Sequence, residues 1–366
     1  VGVKTYHRLV PGDARDLSVL DDASVQLICT SPPYPMIQMW DALFADLDGQ
    51  VAVHLEAEEA WPAWEAMHKQ LDRTYEEAYR VLEPGCFAVV NMGDATRTVA
   101  GDFQLFPNHA RVIQGMLKAG FSPLPDILWR KPTNSPNKFM GSGMLPAGAY
   151  VTYEHEYILV FRKGSKRVFS TDAAKQNRRE SAFFWEERNR WFSDVWQDVA
   201  GAGQDLPSGE ARSRSAAFPI RIPWRIIQMF SVYGDTVLDP FLGTGTTMAA
   251  AAASGRNSVG FELAESLFGH VEAMLDFGAT RGLDWGKKRV VSHLDFIAAR
   301  TELGKPIRHR NATMDLPVMT KQEQSMVFYQ CATKVQTSPH EWVIRHCPIP
   351  KDQLVPIRSS TQRASG

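Results

Sequence analysis

The chain is short of several things, and each shortage narrows what it can be. Cysteine is scarce: the 366 residues hold four, Cys29, Cys86, Cys331 and Cys347, and no two are spaced as Cys-x-x-Cys. That argues against a disulfide framework and a structural zinc, and it fits a reducing, cytoplasmic setting. No run of about 18 apolar residues occurs, and the segment Val1 to Arg8 lacks the apolar stretch of a secretory signal. The expectation is therefore a protein neither secreted nor membrane-spanning. Net charge is almost absent, with 40 Lys plus Arg against 41 Asp plus Glu, so the total names no polyanionic partner. What is present is ordinary for a globular chain: 44% hydrophobic, 22% charged and 10% aromatic residues, a composition that excludes disorder and collagen-like repeats.

The charge that cancels overall is segregated locally. Residues 41–90 carry 3 basic and 11 acidic side chains, residues 126–190 carry 12 and 7, and residues 281–310 carry 8 and 3. Each basic run reads either as a solvated face or as a surface for a polyanion. Between these runs, strand and helix patterns alternate. Ser24 to Thr30, Cys86 to Asn91, Ile127 to Trp129, Tyr157 to Phe161, Thr236 to Asp239 and Ser258 to Glu262 are short apolar runs with strand character. From Glu56 to Leu82, Trp61, Trp64, Met67, Leu71, Tyr75, Ala78 and Leu82 recur at helical steps and predict an amphipathic helix whose stripe packs into the core. Arg111 to Ala119 and Thr246 to Ala253 predict two more helices. The fold class is α/β with a mostly parallel sheet. Periodicity fails from about residue 163 to 214, read as an inserted irregular segment on the ligand side of the sheet, and beyond about residue 280 only an appended region is expected.

Two strings carry chemistry. Asp239-Pro240-Phe241-Leu242-Gly243-Thr244-Gly245-Thr246-Thr247 joins a predicted strand to an Ala-rich helix, and Glu262 ends the next strand. Gly243 and Gly245 allow backbone approach that a Cβ would block, and a carboxylate at the second strand end is placed to accept both hydroxyls of a ribose. A lone Gly-x-Gly is also compatible with a structural turn; the strand context and the two acids favour a nucleoside-containing cofactor. No Gly-Lys-Ser/Thr follows, and Met248 stands where a third dinucleotide-binding glycine would be, so ATP and NAD are disfavoured. The second string, Ser31-Pro32-Pro33-Tyr34 after Thr30, sits at the C-terminal end of a predicted strand, where open α/β sheets bind ligands. Its prolines stiffen a loop in which the Ser31 hydroxyl and the Pro32 carbonyl are fixed acceptors and Tyr34 offers an aromatic face. Such a clamp suits a planar base with an exocyclic amine.

Together these strings resemble the beta class of amino-methylating DNA methyltransferases, in which the Pro-Pro-Tyr motif precedes the Asp-Pro-Phe-x-Gly-x-Gly-Thr motif, as it does here. Protein glutamine methyltransferases use Asn-Pro-Pro-Tyr and place it after the cofactor motif. Further matches are Gly12-Asp13-Ala14, Trp129-Arg130-Lys131-Pro132, Glu154 to Leu159, Asp194-Val195-Trp196 and Phe218-Pro219, so the resemblance covers about residues 9 to 275. One departure is Arg214-Ser215-Ala216-Ala217-Phe218-Pro219, where the family often has His-Pro-Ala-x-Phe-Pro.

The resemblance implies a Rossmann-like, circularly permuted fold and S-adenosyl-L-methionine as cofactor. It further implies Asp13, Ala14, Asp239, Pro240, Phe241, Gly243, Gly245, Thr246 and Glu262 as cofactor-binding residues, and Ser31, Pro32, Pro33 and Tyr34 as the catalytic loop acting on a base flipped from double-stranded DNA. Cytosine enzymes of the class mostly carry Ser at the first motif position and adenine enzymes Asp or Asn, so Ser31 implies transfer to N4 of cytosine, with N6 of adenine the alternative. A non-catalytic DNA-binding subunit is a more distant one. Cytosine C5 chemistry lacks its Pro-Cys pair, and a zinc deaminase lacks Pro-Cys-x-x-Cys after His54-Leu55-Glu56; no metal is expected. The layout reads as a catalytic half at 1–134, a strand pair with target recognition at 135–214, a cofactor half at 215–280 and an appended region at 281–366. Lys138, Arg162, Lys163, Lys166, Arg167, Arg178 and Arg179 are the expected DNA contacts. A restriction endonuclease partner and a homodimer are further expectations from the resemblance.

Overall fold

The computed structural model describes residues 2–131, 140–200 and 218–355. Its centre is an eleven-stranded sheet. In chain order the strands are β1 (Val3–Pro11), β2 (Val25–Thr30), β3 (Leu82–Met92), β4 (Ser122–Pro123), β5 (Ile127–Arg130), β6 (His155–Arg162), β7 (Val195–Trp196), β8 (Thr236–Asp239), β9 (Asn257–Glu262), β10 (Tyr329–Ser338) and β11 (Glu341–Pro348). They lie in the order β7-β5-β6-β3-β2-β8-β9-β1-β11-β10, with β4 against β6. The five central strands, β3-β2-β8-β9-β1, are mutually parallel. Strand β6 runs antiparallel between β3 and β5, and β11 antiparallel beside β1.

Helices cover both faces. The helix Ala60–Val81 carries the expected stripe, with Met67, Leu71, Tyr75 and Ala78 buried, although Trp61 at its start is 48% exposed. It packs with the helix Asn108–Ala119 under one face of the sheet. The other face holds the helix Arg221–Phe230, whose Ile222, Ile226 and Ile227 are buried with Val237 and Trp129.

Two regions differ from the sequence reading. The stretch expected to be irregular contains the helices Asp172–Glu180 and Trp185–Trp191 and the strand β7. The region expected to be an appendage begins in a 35-residue helix, Phe268–Glu302, and continues into β10 and β11, which extend the main sheet beside the first strand of the chain. The buried residues of that helix are Val271, Leu275, Gly278, Ala279, Gly282, Gly286, Arg289, Val290, His293 and Ile297. Their spacing is helical, but glycine, arginine and histidine fill places where large apolar residues would have signalled it. The glycines let backbones approach: a Cβ on Gly278 would come within 2.6 Å of Ala249 Cα, and one on Gly282 within 2.8 Å of the Tyr329 carbonyl oxygen. Arg289 is sheathed in aromatic rings and paired with Glu187 at 2.7 Å.

The joint between β11, β1 and β9 is polar and buried. Thr5 Oγ1 lies 2.9 Å from His7 Nε2 and 2.9 Å from His346 Nε2, and His7 Nδ1 lies 2.7 Å from Ser258 Oγ. A hydroxyl can donate to one neutral ring and accept from the other, so the chain closes without a charge. Burial pushes His7 down to about 3 and His346 to about 4, and it pushes His68, under the helix Ala60–Val81, to about 3. In the unfolded chain these rings protonate near pH 6.5. Below that pH the unfolded state takes up protons that the native state refuses, so stability is lost progressively as pH falls from about 6.5. Asp239 works in the opposite sense, because burial lifts it to about 6 and its native form holds a proton between that pH and its ordinary range. Glu262 and the Glu186-paired His293, both also raised, act in the same sense as Asp239, but the three buried histidines, pushed down to about 3 and 4, outweigh them. The melting temperature is expected to fall between pH 7 and pH 5, and a flat or rising value over that interval would contradict the assignment.

Candidate active site

The two motif loops leave neighbouring strands at the same edge of the sheet. Strand β2 pairs in parallel with β8, Leu27 beside Val237 and Ile28 beside Leu238. Both strands therefore end side by side, at Thr30 and Asp239. There Thr30 Oγ1 donates to Asp239 Oδ1 at 2.6 Å, and the Phe241 N–H donates to the same oxygen at 3.1 Å. Asp239 is buried, and desolvation dominates its upward shift although the hydroxyls of Thr30 and Thr247 pull it back. Its carboxyl is a pin between the loops rather than a free ligand.

A cradle opens next to that pin. Glu262, ending β9, accepts the N–H of Gly243 at Oε2 and the N–H of Ala264 at Oε1, both at 2.8 Å, while its carbonyl accepts the N–H of Gly12 at 3.1 Å. Each carboxylate oxygen keeps a lone pair for a diol. Burial raises the pKa of Glu262, and the backbone donors from Ala264, Gly243 and Leu263 oppose that. Gly243 and Gly245 both have positive φ, 55° and 91°. A Cβ on Gly245 would lie 3.0 Å from Val271 Cα, whereas Cβ atoms built on Gly12 and Gly243 meet nothing closer than 4.0 Å. The Gly12 to Ala14 turn, the Asp239 to Thr246 loop and Glu262 are thus brought together, with open space beside Gly12 and Gly243. Asp13 is used differently from a projecting ligand: its carboxylate takes the backbone N–H and the guanidinium of Arg15, at 2.9 and 2.6 Å. It stiffens the turn, which leaves its backbone and that of Ala14 to meet a ligand.

The Ser31 to Tyr34 loop is held by a network that reading along the chain left without a role. Tyr34 Oη lies 3.1 Å from Ser31 Oγ, donates to Glu156 Oε2 at 3.0 Å and accepts from Asn91 Nδ2 at 2.8 Å. Asn91 also donates to Glu156 Oε2 at 2.7 Å, and Lys131 Nζ pairs with Glu156 Oε1. The Tyr34 ring fits because residue 93 is glycine: a Cβ there would stand 2.8 Å from Tyr34 Cε2. Signals for these partners existed, since Asn91 and Glu156 are polar residues in otherwise apolar strands and Lys131 and Glu156 lie in segments already matched.

The expected DNA contacts are displaced. Because β6 is antiparallel to β3, it starts at the site edge and runs away from it, ending where Arg162 pairs with Phe87, which lies beside Leu27 near the start of β2. Lys163 Nζ there donates to the Tyr79 carbonyl at 2.6 Å, and Arg167 makes a two-pronged pair with Asp235, just before β8. Lys166 adjoins them and is exposed. The helix of Arg178 and Arg179 is fastened to the same edge through Asn177 Nδ2 and the Tyr233 carbonyl at 2.8 Å. These six cations therefore lie toward the opposite ends of the strands from Ser31. Lys138 lies outside the described residues, as do Pro132 and Arg214 to Ala217. What does flank the site is the other part of the expected recognition segment: Tyr153 Oη donates to Asp94, beyond the end of β3, at 3.0 Å, and Tyr150 stacks on Phe103 at 4.7 Å.

Comparisons with known proteins identify the family. The N6/N4 DNA methylase family model matches residues 25–272. Type II methyltransferase M.MthZI of Methanothermobacter thermautotrophicus is 44% identical over 341 residues, covering 93% of this chain and 95% of its own. Type II methyltransferase M.MjaI of Methanocaldococcus jannaschii is 47% identical over 297 residues, 78% of this chain and 96% of its own. Among solved structures, the putative DNA modification methylase TTHA0409 of Thermus thermophilus, complexed with S-adenosyl-L-methionine, has a TM-score of 0.58 and 32% identity, covering 74% of this chain and 93% of that one. The chain belongs to the N6/N4 DNA methylase family, as a beta-class amino-methyltransferase of the type II restriction–modification kind with S-adenosyl-L-methionine as its cofactor.

Proposed function

We propose that the chain is a site-specific DNA (cytosine-N4) methyltransferase, acting on a base turned out of the duplex. The observation that carries this reading is Ser31 at the end of β2, one residue from the Thr30–Asp239 bond that ties it to the cofactor loop. The exocyclic amine of cytosine is a poor nucleophile because its lone pair is delocalised into the ring. Acceptors at Ser31 Oγ and the Pro32 carbonyl would hold the two amine hydrogens, pull the nitrogen toward tetrahedral geometry and aim its lone pair. S-adenosyl-L-methionine, when bound, supplies an electrophilic methyl group on a sulfonium. The chain's own part is orientation and electrostatic preorganisation, with no covalent enzyme intermediate.

Glu262, the Asp13–Ala14 backbone and the residues Asp239 to Thr246 would hold the cofactor's nucleoside end. Pro240 is buried in that loop and Thr246 starts the following helix. Removing the base from the stack costs a few kcal/mol, which stacking on an aromatic face, worth about 1–3 kcal/mol, offsets in part. With its hydroxyl tethered, Tyr34 offers such a face in a fixed position. Target recognition is assigned to residues 140–154 and 197–200, which follow β5 and β7 on the side of the sheet where Ser31 lies, rather than to the cations at the other ends of the strands.

Incubation with S-adenosyl-L-methionine and unmethylated duplex DNA, followed by digestion to nucleosides and mass spectrometry, is expected to yield N4-methylcytosine. N6-methyladenine alone would overturn the choice of base and leave the family chemistry in place. No methylated nucleoside at all would overturn the catalytic reading.

A further inference from the structure

We propose that Glu156 is a positioning residue that sets the direction in which the Ser31 hydroxyl points its hydrogen, acting through Tyr34 rather than by touching the substrate. The inference rests on Ser31 being the acceptor for the target amine, and it holds for cytosine and adenine alike.

A serine hydroxyl has one hydrogen and two lone pairs. To accept from an amine without presenting its own hydrogen to that amine, it must place the hydrogen elsewhere. The near partner is Tyr34 Oη at 3.1 Å, a contact that distance alone allows in either direction. Three neighbours remove the ambiguity. Glu156, ion-paired to Lys131 and 7% exposed, has no hydrogen to give, and its Oε2 takes the Tyr34 hydrogen at 3.0 Å. Asn91 spends its two amide hydrogens on Tyr34 Oη at 2.8 Å and on Glu156 Oε2 at 2.7 Å. Turning the Asn91 amide over would set its oxygen against a carboxylate, so this orientation is determined. Burial, and after it the Glu156 charge, push the Tyr34 hydroxyl well above its ordinary range, so it keeps the hydrogen that it donates. Tyr34 is then committed as donor to Glu156, and the Ser31–Tyr34 bond can form only with Ser31 donating. Both lone pairs of Ser31 Oγ remain for the amine.

Glu156→Gln reverses this polarity while nearly keeping the shape. With its oxygen kept toward the Lys131 ammonium and the Asn91 amide, no longer held by a carboxylate, turned over to accept, the new amide can donate to Tyr34 Oη, Tyr34 can donate to Ser31, and the Ser31 hydrogen is freed to oppose the amine. Single-turnover methyl transfer to a DNA duplex is expected to slow about 10- to 100-fold, with the DNA Kd from fluorescence anisotropy and the KM for S-adenosyl-L-methionine unchanged. The decisive comparison is made in the Ser31→Ala background. With no hydroxyl to orient, Glu156→Gln is expected to change the residual rate by less than about 2-fold. An equal penalty in both backgrounds would mean that Glu156 supports packing and would overturn the proposal, as would no penalty in either. If Glu156→Gln does not fold, Tyr34→Phe carries the same comparison, because it cuts the link and leaves the Lys131–Glu156 pair intact. Full activity in Ser31→Ala alone would instead overturn the role of Ser31, and the orienting role of Glu156 with it.

Discussion

Ser31→Ala is expected to lower the rate of methyl transfer by about 10²- to 10³-fold, the loss usually seen when one preorganised polar contact to a reacting group is deleted. The effect should fall on kcat and leave binding alone, for a geometric reason. Ser31 follows Thr30, whose hydroxyl, and not that of Ser31, ties the loop to Asp239. The loop is stiffened by Pro32 and Pro33, and Tyr34 keeps its bonds to Glu156 and Asn91. The alanine variant therefore retains the loop and the cofactor cradle and lacks one acceptor. Single-turnover rates with saturating S-adenosyl-L-methionine, set beside equilibrium binding of DNA and cofactor, test this. A rate within about 3-fold of the parent would remove Ser31 from the chemistry, and a large loss of cofactor affinity would show that the residue supports the loop instead.

Gly278→Val is expected to destabilise the fold by about 3 kcal/mol or more, at the upper end of what overpacking costs. A Cβ at this position meets three backbone atoms of Ala249: the carbonyl oxygen, Cα at 2.6 Å and the carbonyl carbon at 2.7 Å. Backbone cannot move aside as a flexible side chain can, so one helix must shift against the other. Against a total stability of roughly 5–15 kcal/mol for a native domain, such a loss is large. The helix that has to move is Thr246–Ala253, whose first residue follows Gly245 of the cofactor loop. Cofactor affinity should therefore weaken together with the melting temperature. Chemical denaturation and calorimetric titration with S-adenosyl-L-methionine measure the two. A variant of parental stability would mean that the two helices do not pack as closely as described.

How far the sequence could be read depended on whether local pattern and tertiary role coincided. The unit from Thr236 to Glu262 was legible almost to the residue, since a buried parallel strand, a glycine turn and an alanine-rich helix each carry their own local signature. The helix Phe268–Glu302 was not, because its buried positions are filled by residues chosen for close approach and for a buried ion pair, and hydropathy weighs these as polar or neutral. The helix Asp172–Glu180 has no buried residue, so no apolar period could mark it.

At the candidate site, the sequence singled out the two motif loops that the structure brings together, but not the side chains that hold them. Asn91, Lys131 and Glu156 come from three separate strand ends and become a group only once β3, β5 and β6 are side by side. The position of the basic residues was illegible for another reason. Composition shows that residues 162–179 are rich in cations, but a strand's pattern reads the same in both directions, and the antiparallel course of β6 carries that charge away from the site.

The chain order of this sheet also bears on protein synthesis. The acceptor loop is made early and the donor cradle late: Thr30 and Asp239, joined by one hydrogen bond, are separated by 209 residues. The first strand, Val3–Pro11, waits longer still, because its neighbours are β9 on one side and β11, close to the C-terminal end of the described chain, on the other. Pairings this distant close late, since the chain between them must be ordered before the contact repays it. A ribosome-bound chain that has not yet passed Glu262 therefore lacks one wall of the cradle and cannot methylate. A truncated product that ends before Glu262 is expected to be inactive.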